Sequence, residues 1–231
     1  MNIFRKLRDK TVTIGRFKFN YLHGRMQKED PSEDNDHYQV FNQIVWGVLK
    51  DKKNIPILDI GNTKYGNVAN SMMGHKIDAL VLKKPDLLSN DVNWIVGDLG
   101  KFNTKKKYAL ITAPSTLHLA GFGRYGDEQN LELPLILGKK LADLCIDGAD
   151  LLMMLPLGKN TFHAGMHYVF DFDTIKEIYH NFQLESYIVD ERAIFRMHPV
   201  KRDVRFSTDT DTSTFPVGSY KIIYLHFKYL P

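Results

Sequence analysis

Between Ile55 and Gly158 the chain repeats one kind of segment: IPILDIG, KIDALVL, VNWIVGDL, YALITAPS and ADLLMMLPLG. Each is a short apolar run, and helical or turn-rich stretches separate them. Such runs need cover on both faces, which a parallel sheet between helical layers supplies. The helical stretches fit that role. Tyr38, Phe41, Ile44, Val45, Val48 and Leu49 recur mostly at spacings of three and four, with Asn35 or Asp36 as cap. NVANSMMG reads as a helix closing on Gly74, LELPLILGKKLADLCIDG as one closing on Gly148 with Pro134 in its first turn, and FDTIKEIYHNF as a third. LESYIVDERAIF is a sixth strand, and YKIIYLHFKYL a seventh that alternates enough to be antiparallel. The fold class expected is α/β: a Rossmann-like, seven-stranded, mostly parallel sheet with helices on both faces and an antiparallel last strand.

This sheet needs only residues 35–231. Gln27–His37 is polar and acidic around Pro31 and reads as a linker, so residues 1–34 form a basic arm plus linker. Residues 1–30 mix Arg and Lys with Phe, Ile and Leu. They read as a loosely packed arm or short surface helix, or as a segment for peripheral contact with a membrane or partner. They are expected to be dispensable for the fold. No apolar h-region marks a secretory signal, and the one cysteine, Cys145, permits no internal disulfide and no cysteine-rich metal site. A cytoplasmic setting is the expectation, and Cys145 is expected in the core of its helix. The net charge of +4 falls short of a dedicated nucleic-acid binder but suits an anionic ligand.

In such sheets ligands sit beyond the carboxyl ends of the strands. Strand one ends LDIGNTKYG, the shape of a nucleotide-type cofactor loop or of a plain strand-to-helix turn. Gly61 allows close backbone approach and Gly66 eases entry into a helix; a G-x-G-x-x-G fingerprint is absent. Strand two should end on an acid that holds a ribose diol, yet it ends Leu82-Lys83-Lys84; the lysines are solvated surface or meet a phosphate. Strand three delivers Asp98, which either accepts from an adenine amino group or caps the next turn. Strand four delivers Ser115, Thr116 and His118, then GFGRYGD, Gly121–Asp127. This loop is either the mouth of a site, with Arg124 gripping an anion and Tyr125 offering a ring and a hydroxyl, or an ordinary loop closed by an Arg124–Asp127 salt bridge. After strand five come Lys159, His163 and His167. The two histidines are four apart, but Gly165 between them argues against a helical metal pair, and no metal is expected. Each histidine is a general-base candidate or a structural residue.

LDIG, the strand ending GDL, STLHLAGFGRYGD and LLMMLPLGKNTFHAGMHYVFDFDTIKEIYHNF together resemble a methyltransferase-like family of largely uncharacterised function, with members in nematodes and in bacterial surface-polysaccharide gene clusters. The resemblance spans roughly Ile55–Val189. It implies a class I fold using S-adenosylmethionine. Asp59, Gly61, Gly66, Asp98 and Ser115 would hold the cofactor. Arg124, Tyr125, Lys159 and His163 would face the acceptor, a small molecule or glycan, anionic or polyhydroxyl. His118, His167 and Asp127 would be catalytic, with a histidine removing the proton as a sugar or sugar-phosphate hydroxyl is methylated. A non-catalytic binding or scaffold protein on a degenerate methyltransferase fold is the alternative. A nucleic-acid substrate is not expected, because strand four runs into Ala113-Pro114-Ser115-Thr116 and no Asn-Pro-Pro-Tyr type loop follows.

Overall fold

A computed structural model of the chain describes residues 11–22, 36–61, 73–84, 90–190, 206–208, 210–215 and 217–231. Its elements begin with β1 (Thr11–Ile14), β2 (Phe17–Leu22), α1 (Asp36–Leu49), β3 (Pro56–Ile60), β4 (Lys76–Val81), β5 (Val92–Val96) and β6 (Tyr108–Pro114). A 3-10 turn, Leu117–Leu119, precedes α2 (Leu133–Ala142) and β7 (Cys145–Gly158). Then come β8 (Thr161–His163), β9 (His167–Val169), α3 (Phe172–Ile178), β10 (Phe182–Asp190), β11 (Phe206–Ser207) and β12 (Tyr220–Tyr229).

The main sheet has the order β11-β10-β12-β7-β6-β3-β4-β5. β7, β6, β3, β4 and β5 run parallel, and β12 lies antiparallel between β7 and β10. All seven expected strands are present; the two-residue β11 adds an edge. Alternate residues divide the core between two layers. Leu58, Ile111, Leu151, Met153, Leu155 and Leu225 pack with Leu137 and Leu141 of α2 and Ile175 of α3. Ile57, Leu110, Leu152, Met154 and Tyr224 pack with Phe41, Val45 and Leu49 of α1. The four-residue steps of that last trio put it on one face of its helix.

Two expectations need correction. Residues 11–22 are not a loose arm or surface helix: β1 and β2 form a hairpin, and β2 pairs parallel with β8 in a second sheet ordered β1-β2-β8-β9. Phe19 is 1% exposed, its ring 5.0 Å from Tyr168 and 6.3 Å from Phe170. Two short polar partners could not have announced this contact, because Asn20 and Asn160 make it: Asn160 O accepts from Asn20 N–H at 2.9 Å and from Asn20 Nδ2 at 2.8 Å. The second correction concerns α2, which ends at Ala142 rather than near Gly148, so Cys145 starts a strand. It is buried as expected, and burial pushes its thiol up to about 12. The Gly165 segment, read as non-helical, is a hairpin turn between β8 and β9 that makes His163 and His167 cross-strand partners. The remaining arm residues, 1–10 and 23–34, and residues 67–72 of the expected NVANSMMG helix lie outside the described residues. Among the described residues no helix is long and apolar enough to cross a membrane.

The β7–β12 pair carries a buried charge that the sequence pattern did not reveal. Asp150, 1% exposed, accepts from Lys52 through Oδ2 and from Lys228 Nζ at 2.9 Å through Oδ1; His226 Nε2 lies 2.8 Å from Oδ1. Burial alone would push its carboxyl up, but hydrogen bonds from His226, Lys52 and Lys228 hold it well below the usual carboxylate range. A carboxyl depressed in the folded state stabilises the fold at pH values above its unfolded pKa, about 3.9, and loses that contribution as pH falls through the folded value. Asp150→Asn should therefore destabilise the protein by about 1.5–3 kcal/mol at pH 7. In urea melts the gap between variant and wild type should narrow below about pH 4. A gap that does not change with pH would show that Asp150 contributes by packing rather than by charge.

Candidate functional site

The strand order reverses between β3 and β6: from β3 the sheet grows toward β4 and β5, and from β6 toward β7. This is the switch point at which a parallel sheet leaves a crevice at its carboxyl edge. A cavity of about 420 Å³ opens there, in the range of small-ligand sites. Gly61 after β3, Pro114 at the end of β6, and Ser115 and Thr116 after it line the cavity, together with Leu82 and Lys83 after β4 and Asp98 after β5. Gly61 has φ +109, and a Cβ on it would meet Thr116 Cβ and Cγ2 at 2.9 Å and Oγ1 closer still. Only glycine allows these two loops to touch. Ser115 has φ +49, a left-handed conformation that costs a non-glycine residue about 1–2 kcal/mol. Its N–H is held by Met154 O at 3.0 Å, so β7 fixes the turn that aims it at the cavity.

The GFGRYGD loop covers the other side through Gly121, Tyr125 and Asp127. Asp127, expected as a catalytic residue, has a structural role instead. Oδ2 accepts from Gly121 N–H at 2.7 Å and Gly123 N–H at 3.2 Å, and Oδ1 from Tyr125 N–H at 3.2 Å. Asp98 does similar work: Oδ1 accepts from Gly100 N–H at 2.6 Å and Oδ2 from Glu128 N–H at 2.7 Å, so it both caps the next turn and ties the loop to β5. Arg124 is exposed, its guanidinium 5.1 Å from the centre of the Tyr125 ring.

The predicted histidines come together, but behind the cavity wall. His163 and His167 stack at 4.7 Å, and His118, in the 3-10 turn, meets His167 edge-on at 5.9 Å. The turn that carries His118 also places Leu119 in the wall. Burial, then His167 and the Arg124 charge, hold the imidazole of His118 well below its ordinary value; burial, then His163 and Arg124, bring His167 down to about 3. Burial brings His163 to about 4. All three are therefore neutral near pH 7. A base of pKa about 3 has little drive to take a proton there. His118 and His167, expected as general bases, are buried and stand outside the cavity lining. Among the described residues no group of histidine, cysteine and acid side chains is placed to hold a metal.

Two further expectations miss the cavity. Asp59 is fully buried inside the sheet, where Oδ1 accepts from Thr112 Oγ1 at 2.6 Å; alternation along β3 turns it away from the wall that Ile60 and Gly61 form. Lys159 is half-buried past β7, where its charge helps hydrogen bonds from Ser213 hold Asp211 below the usual carboxylate range. Gly66 lies outside the described residues. Sequence reading missed Tyr38 of α1, Leu82 and Leu119, all of which line the cavity. Tyr38 had no local signal, since it reaches the site only because α1 packs across the sheet.

No protein-family model matches the chain, and no curated protein matches it in sequence. Solved structures do match in shape. The Burkholderia thailandensis 1,6-didemethyltoxoflavin-N1-methyltransferase, determined with 1,6-didemethyltoxoflavin and S-adenosylhomocysteine, superposes with a TM-score of 0.56 at 12% identity, over 86% of this chain and 80% of that one. The fold is that of the class I methyltransferases. The O-MT segment of StiE (TM-score 0.53, 12% identity, 87% of this chain and 79% of that one) has the same fold. So does the [4+2]-cyclase SpnF (TM-score 0.59, 9% identity, 88% and 84%). The methyltransferase fold therefore carries more than one reaction, and the choice among them rests with the site.

Proposed function

We propose that the chain is an S-adenosylmethionine-dependent methyltransferase acting on a small molecule, with a hydroxyl of a sugar or sugar-phosphate as the acceptor. The observation that carries this reading is the cavity at the β3–β6 switch point, closed beneath by the Gly61–Thr116 contact. Gly61 and Ser115 would hold the methionine end, and Asp98, with lone pairs beyond its two backbone bonds, the adenine. When bound, the cofactor supplies an activated methyl group on a sulfonium. The protein's share is alignment, and as the acceptor oxygen gains the methyl group its proton leaves to solvent at the cavity mouth beside the exposed Tyr125. The Asp127-organised loop forms the lid over the acceptor side, and Arg124 at its tip suits an anionic or polyhydroxyl acceptor.

Titration of the full chain with S-adenosylhomocysteine should give a saturable calorimetric signal. Asp127→Ala, which releases three N–H groups of the loop, should weaken that binding by about tenfold, the equivalent of roughly 1.4 kcal/mol. Absence of saturable heat at millimolar ligand would remove the main support for this reading. It would favour the second one, a binding protein on a methyltransferase fold, for which the specific observation is the lysine at the end of β4 where a ribose-binding acid is expected.

A further inference from the structure

Lys83 is the one cationic side chain among the described residues that line the carboxyl-edge cavity. It is exposed, and no hydrogen bond or salt bridge ties it to another described residue. Its position decides its meaning. In a sheet with this order the residue just after the second parallel strand faces the ribose, and a carboxylate there accepts from both hydroxyls of the diol. Here Leu82 takes that position after Val81 and Lys83 follows it, and both line the cavity. An ammonium has three donors and no acceptor, so it cannot take either hydroxyl proton. It matches a group made of acceptor oxygens carrying negative charge. Neither of the cavity's two carboxylates forms an ion pair with Lys83: Asp98 accepts from Gly100 and Glu128 N–H, and Asp127 from the Gly121, Gly123 and Tyr125 N–H groups.

We propose that the β4 end of this cavity receives a phosphorylated ribose, so that adenine nucleotides bearing a phosphate on the 2′ or 3′ oxygen bind in the site, in competition with a methyl donor whose diol is free. The adenine lies toward Asp98 and the β5 end, and the ribose phosphate against Lys83. The inference goes beyond the methyltransferase reading and uses the same cavity, so the two have separate controls.

The test is calorimetry on the full chain with adenosine, adenosine 2′-monophosphate, adenosine 3′-monophosphate and S-adenosylhomocysteine, for wild type, Lys83→Ala and Lys83→Glu. One of the monophosphates is expected to bind wild type at least about tenfold tighter than adenosine, and the two arms identify which oxygen carries the phosphate. Lys83→Ala should erase that preference. Lys83→Glu should reverse it and strengthen S-adenosylhomocysteine, since it restores the diol acceptor. Lys83 is exposed, so the variants should melt with wild type, which separates binding from folding. Monophosphates no tighter than adenosine, or a preference that survives Lys83→Ala, would overturn the proposal. If S-adenosylhomocysteine binds and phosphate adds nothing, the proposal falls and the methyltransferase reading stands. If a monophosphate binds and S-adenosylhomocysteine does not, the reverse holds.

Discussion

Gly61→Ala is expected to cost about 2–5 kcal/mol of stability and to abolish ligand binding in whatever folded protein remains. Two effects add. A left-handed backbone at φ +109 is strained for any residue with a Cβ, at about 1–2 kcal/mol. The new methyl would also overlap Thr116, whose Cβ and Cγ2 lie 2.9 Å from its position, and overpacking costs about 1–3 kcal/mol more. The two contributions can be separated. Gly61→Ala combined with Thr116→Gly removes the overlap but keeps the strained φ, so the double variant should recover only part of the loss in urea melts. Full recovery would mean the backbone at Gly61 relaxes freely, and no recovery would mean the Thr116 contact is not what the glycine serves. Ligand binding should stay weak in the double variant, because Thr116 itself lines the cavity.

Phe19→Ala should destabilise the protein by about 3–5 kcal/mol, the usual loss for a fully buried phenylalanine. For a chain of this size that corresponds to a fall of about 6–20 °C in the melting temperature. A chain beginning at Glu33 loses β1, β2, Phe17 and Phe19 at once. It exposes Tyr168 and Phe170 and leaves β8 without its parallel partner. It should not melt cooperatively. A truncated chain with wild-type melting behaviour would restore the view of residues 1–30 as a dispensable arm.

The comparison of sequence with structure turns on how far each signal reaches along the chain. Strands such as IPILDI and YALITAP were legible because both faces of each are buried in the sheet, so continuous apolar character survives in the sequence. α1 was legible because Phe41, Val45 and Leu49 repeat the helical period. The hairpin β1–β2 was not. Its burial pattern is mixed, β1 reading exposed and half-buried by turns, and its partner β8 lies some 140 residues away. The end of α2 was missed for a related reason: Cys145 is apolar and buried in either state, so composition could not tell the last turn of a helix from the first residue of a strand.

The site divides in the same way. Gly61, Asp98, Ser115 and the GFGRYGD loop were found because position after a parallel strand is itself a signal, and the chain carries it locally. What each side chain does there was not legible. Asp127 and Arg124 looked like a charge pair from their spacing of three, and what the spacing did not show is that three loop N–H groups turn onto Asp127 while the Arg124 guanidinium lies against the Tyr125 ring. His118, His163 and His167 looked like acid–base groups because unperturbed imidazoles titrate near neutrality. Packed against one another and closed off from water, they are neutral instead. The sequence by itself determined the class of sheet, the strands that compose it and the edge at which the cavity opens, because those follow from local patterns of burial. Only the tertiary structure decided which charges line the cavity and which are engaged by the backbone. A side chain's protonation and partners depend on groups that folding brings beside it from distant positions in the chain.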